Sequence, residues 1–239
     1  MKAVLSFFVA VVVGIAVKVG TGPLGGTADA AEVEAALLGK RVFITLRDEF
    51  PSEYSSIVGD LVRVVNRSPN GKAADDAAFK LTEKIRRGQT RYAKTTPSKE
   101  LRAVFRGQLK ILEVLKARHG IEACSEFAVL GGASPSLLDW DVDDLIDRAG
   151  ADNFSALAAG RDRPAEYGDV TLQDIDRLES VMLSRGVSHT AYQALINGFE
   201  DGDYRACDAT IGFMRALKGL DMATANRIMS ATFVGLMAA

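Results

Sequence analysis

Apolar residues recur along most of this chain at intervals of three and four, with polar residues between them, and that period belongs to an amphipathic helix. Leu101, Val104, Phe105, Ile111, Leu112 and Leu115 fall on one face of such a helix. Strand-like alternation is nearly absent; "KRVFITL" is the one short candidate and reads as easily as a helix. The period predicts helices near 31–49, 51–66, 73–94, 97–119, 121–130, 136–149, 153–160, 171–185, 189–198, 203–218 and 221–237. No fixed repeat appears, so the expected fold is all-α, an irregular multi-helix bundle and not a solenoid.

The breaks between these helices carry their own signals. "FPSEY" places Pro51 just inside a helix start, "SPNG" at 68–71 is a turn, and "TPSKE" sets Thr96 and Pro97 before the next helix. Gly120 closes "ARHG", and Thr171 with Asp174 in "TLQD" forms a candidate capping box. The glycines of "VLGGASPS" end one helix before Ser134 and Pro135 begin another; no Lys-Ser or Lys-Thr follows them, so they are no phosphate loop.

One segment departs from the amphipathic rule. From Ala3 to Val17 there is no charged residue, and "GTGPLGGTA" follows as a Gly-rich tether. Fifteen residues span roughly 22 Å as a helix, short of the roughly 30 Å hydrocarbon layer, although Lys18 can snorkel and lengthen the span. Two readings lead for 1–19, a signal peptide cleaved near "ADA" or "GIA" or a retained membrane anchor, with a buried core helix as a third. Either way Lys2 favours a cytoplasmic amino terminus, and the body of the chain, 30–239 with a subdivision conceivable at 119/120, is expected in the cell envelope beyond it. Membrane contact would run through the N-terminal segment if it is retained.

Composition adds the cysteines. There are two, Cys124 and Cys207, each on an apolar stripe: Ile121, Cys124 and Phe127 or Ala128 in one helix, Tyr204, Cys207, Ile211 and Met214 in the other. In an exported domain such a pair is expected to form a disulfide, and two buried free thiols are the other reading.

Charge changes the picture more. The net charge is −2, yet residues 63–118 carry 15 basic and 5 acidic groups while residues 119–239 carry 9 and 19. Within the basic block Lys80, Lys84, Arg87, Arg91 and Lys94 recur at helical spacing, and Lys99, Arg102, Arg106 and Lys110 repeat the device on the following helix. If the two helices pair as a hairpin, their stripes lie side by side. The stripes read as a solvated face, as partners of the acidic C-terminal half, or as a contact surface for an anionic lipid, a glycan or a protein. Nucleic acid is disfavoured by the scarcity of interleaved aromatics.

Candidate catalytic chemistry is thin. "DWDVDDLIDRAG" sets Asp139, Asp141 and Asp143 at calcium-loop positions 1, 3 and 5, but Asp144 stands where the turn needs Gly and Gly150 where the loop needs Glu. The run is better read as acids at a helix start, as is "EDGDYRACD". Trp140 is expected as a core anchor. His119 at a helix end and His189 at a helix start are the only histidines, and neither is placed as a base for a cysteine nucleophile. No metal, cofactor or catalytic residue is assigned. The expected function is that of a non-catalytic, envelope-located binding protein, with a helical hydrolase acting on an envelope polymer through a carboxylate pair as the alternative.

Overall fold

A computed structural model describes residues 28–67, 71–134, 136, 141–200 and 202–238. The apolar segment, the tether up to Thr27 and Trp140 lie outside these residues. Ten α-helices are seen among the described residues: α1 (Ala30–Leu37), α2 (Arg41–Glu49), α3 (Pro51–Arg67), α4 (Gly71–Gly88), α5 (Ser98–Leu130), α6 (Asp143–Asp162), α7 (Leu172–Ser184), α8 (His189–Asn197), α9 (Arg205–Ala216) and α10 (Met222–Ala238). Short 3-10 helices cover Thr90–Thr95, Gly131–Ala133 and Leu217–Gly219, and no strand occurs among the described residues. No described helix is long and apolar enough to cross a membrane.

Helix α5 is the axis of the bundle, packed between α6 and α9 and crossed by α10. Its apolar face, Leu101, Val104, Phe105, Ile111, Leu112 and Leu115, is buried as the period required. A continuous apolar core runs from Val33 through Phe43, Ile57 and Ile146 to Phe233. Gly120 breaks α5 with φ 87° and ψ −177°, a conformation that favours glycine, so the chain turns there before Cys124. Cys124 and Cys207 form a disulfide, joining the last turns of α5 to α9, with both residues fully buried. Phe127, Ala128, Ile211 and Met214 are buried with them, whereas Tyr204 is 70% exposed and starts α9 instead of facing the core.

Several expected helix limits shift, each for a tertiary reason. The stretch 31–49 divides because Asp147 of α6 accepts hydrogen bonds from the backbone of Arg41 (2.9 Å) and Val42 (3.0 Å). It caps α2 from 106 residues away. The predicted helices 136–149 and 153–160 are one helix, α6, running through Gly150. Small residues suit this stretch because α5 comes close: a side chain on Gly107 would meet Ala149 and Asp152 at 3.6–3.8 Å. Asp143 and Asp144 occupy the first turn of α6, as acids at a helix start should. Thr96 does not cap α5; its hydroxyl donates to the carbonyl oxygens of Tyr92 (3.2 Å) and Ala156 (3.0 Å), and Pro97 precedes the helix without a side-chain cap.

The stretch predicted as 73–94 ends its α-helix at Gly88, and Arg91 and Lys94 sit in the 3-10 helix that follows. That segment is clamped between α6 and α10. Thr95 donates to Gly160 O (2.9 Å), Ser230 donates to Lys94 O (2.8 Å), and Thr90 donates to Met237 O (3.1 Å). The approach is close enough that a β-carbon on Gly160 would collide with Tyr92 O. Gly160→Ala is therefore expected to destabilise the fold by about 1–3 kcal/mol, as overpacking does, despite alanine's better helix propensity. A thermal melt that rises or stays level would contradict this packing.

Candidate functional site

A groove of about 740 Å³ opens between the N-terminal half of α5, the 3-10 helix after α9 and the start of α10. Phe105 and Leu109 supply one side of its apolar lining, with Met214, Leu217 and Met229 facing them. Leu220 and the 65% exposed Met222 stand at its margin. Three of these are methionines, whose unbranched thioethers adapt to irregular apolar shapes. Four cations, Lys99, Arg102, Arg106 and Lys218, complete the lining together with Ser98 and Ala225, and no acid among the described residues contributes to it.

The spacing of α5 explains the arrangement. Lys99, Arg102 and Arg106 follow one another by three and four residues on the exposed face, directly beside the buried line of Leu101, Phe105 and Leu109. None of the four cations is ion-paired with a described residue, though Arg106 lies within electrostatic range of Asp152. Burial pushes the Asp152 carboxyl up from its ordinary range, opposed by Arg148 and Arg106. The Ser98 hydroxyl meets Asn226 Oδ1 at 2.7 Å and ties the first turn of α5 to α10.

The two cationic stripes do not form a hairpin. Helix α4 packs chiefly on α3, and α5 on α9 and α6. Lys80, Lys84 and Arg87 are exposed on α4, with Arg87 paired to Glu83 at 2.5 Å. Arg91 lies 4.8 Å from the centre of the Tyr92 ring, and Lys94 pairs with Asp169 at 3.0 Å. Lys110 is exposed on α5 but does not line the groove. Thus three of the nine predicted anion-binding positions, Lys99, Arg102 and Arg106, are brought together over apolar surface, and Lys218 joins them from a part of the chain that no stripe marked.

Other charged residues are structural. Asp174 accepts from Arg227 Nη2 (2.6 Å), Arg227 Nε (2.9 Å), Thr224 Oγ1 (2.9 Å) and the backbone of Thr171 (2.9 Å), closing the capping box of α7 while tying that helix to α10. The Arg227 guanidinium holds its carboxyl well below the usual range. Arg86, passed over by the stripe pattern because it adjoins Ile85, is 4% exposed and donates to Leu236 O (2.6 Å) near the C-terminal end of α10; burial brings it down to about 10. His189 Nδ1 lies 3.3 Å from Glu179, His119 is exposed, and no cluster of metal-binding side chains occurs among the described residues.

Comparison with protein-family models, curated proteins and solved structures finds no match for this chain.

Proposed function

We propose that this chain is a non-catalytic binding protein of the cell envelope that engages an anionic partner through the groove between α5 and α10. The observation that carries the reading is the groove lining, four cations and, among the described residues, no acid around an apolar floor. Like charges grouped in excess of the counter-charges beside them raise the local potential and attract anions. The disulfide supports an oxidising compartment, and the uncharged run from Ala3 to Val17 supports export or anchoring.

Two measurements test it. In fractionated cells a C-terminal reporter should be found with the envelope, and recovery in the soluble cytoplasm alone would remove the location. For the surface, full-length protein should bind vesicles containing an anionic lipid more tightly than zwitterionic ones, and less tightly as salt rises. Replacing Arg102 and Arg106 together by Gln should weaken that binding about thirtyfold at low salt, taking about 1 kcal/mol per cation near an anionic surface. Since the N-terminal segment is common to both proteins, equal binding by the variant would show that the groove is not the contact.

A further inference from the structure

The groove is amphiphilic as well as cationic, and this narrows what can fill it. We infer that its ligand is a single-chain anionic amphiphile, whose hydrocarbon chain lies on the methionine-rich floor and whose phosphate or carboxylate head meets Lys99, Arg102, Arg106 and Lys218. The inference rests on the anion-binding reading above and adds the chemistry of the ligand.

The physical case has three parts. First, a volume of about 740 Å³ falls within the roughly 300–1,000 Å³ typical of sites for small molecules. Second, a purely ionic ligand would leave the exposed Met222 and the half-buried Leu220 uncovered, and a neutral chain would leave the cations unmatched; a ligand with both halves satisfies the lining. Third, the head end coincides with the first turn of α5, a helix that begins without a side-chain cap, so the positive end of its dipole adds to the field of Lys99 and Arg102. Glu100, in the same turn, is engaged by Arg163 at 3.0 Å and does not line the groove. The chain's own apolar segment from Ala3 to Val17 offers no acid to match these cations.

The test uses full-length protein and calorimetric titration with dodecyl phosphate below its micelle concentration. One saturable site is expected, with affinity rising about fourfold per methylene across decyl, undecyl and dodecyl phosphate, the increment for burying one CH₂. Inorganic phosphate and dodecyl maltoside, each carrying one half of the chemistry, should bind at least a hundredfold more weakly. Lys99→Gln combined with Lys218→Gln should lower dodecyl phosphate affinity at least tenfold, and Met222→Gln should reduce it severalfold. Arg47→Gln with Arg63→Gln, exposed on α2 and α3, should leave it unchanged.

Equal affinity for inorganic phosphate and dodecyl phosphate would overturn the inference, because the floor would then contribute nothing. Vesicle binding that depends on Arg102 and Arg106 without any uptake of the monomeric amphiphile would also overturn it, while leaving the anion-binding proposal standing. Failure of both would remove both. A dimer in sedimentation experiments that the Lys99 and Lys218 replacements dissociate would identify the occupant as a second copy and likewise end the proposal.

Discussion

Replacing Cys124 and Cys207 together by Ala is expected to cost about 4–5 kcal/mol, the largest effect of any change proposed for this chain. The bond closes a loop between positions 83 residues apart. By the chain-entropy argument, releasing it returns that much free energy to the unfolded ensemble. At about 2–4 °C per kcal/mol for a chain of this size, the melting temperature should fall by about 8–20 °C. The bond is fully buried, so reductant should act only on unfolded molecules: protein in dithiothreitol should keep its helical signal until denaturant or heat opens it, then fail to recover its former midpoint. A double variant as stable as the parent would mean that the disulfide only records a proximity already enforced by packing of α5 on α9.

Asp174→Ala should produce the second largest loss, about 3 kcal/mol. Removing one member of a buried ion pair leaves the other charge without compensation, typically about 3–5 kcal/mol, and Arg227 moderates the cost because its side chain is 23% exposed and can be rehydrated. The capping box at Thr171 is lost with it. The linkage has a definite sign. The carboxyl binds its proton less readily in the folded chain than in the unfolded one, so its contribution is complete above the unfolded value near about 4 and is lost as pH falls through the range below it. Urea midpoints measured from neutral pH to about pH 3 should fall more steeply for the parent than for Asp174→Asn, so that the gap between them narrows without closing. Parallel curves would assign the acid sensitivity to other carboxylates.

These two changes act on features of different legibility. The cysteine pair was visible as two residues on apolar stripes, and Thr171 with Asp174 as a cap, because both signals are local: a helical period and a four-residue motif. Arg227 was not visible as the partner of Asp174, since 53 residues separate them and nothing in either neighbourhood selects the other. The groove shows the same division. Lys99, Arg102 and Arg106 could be placed on one face of α5 by counting, but Lys218 joins them only because the 3-10 helix after α9 packs beside that face. Lys80 and Lys84 obey an equally regular spacing and are exposed on α4, which packs on α3 and does not bring them beside α5.

Helix limits follow that logic as well. The all-helical class, the starts at Pro51, Leu172 and His189, the break at Gly120 and the buried face of α5 were determined by the sequence, because periodicity, caps and glycine act within a few residues. Only the tertiary structure decided that 31–49 divides at the cap from Asp147, that α4 stops at Gly88 where α6 and α10 clamp the next turn, and that α6 runs unbroken through Gly150. Intrinsic propensities differ by less than about 1 kcal/mol per residue, so one hydrogen bond or close contact from a distant helix is enough to move a boundary.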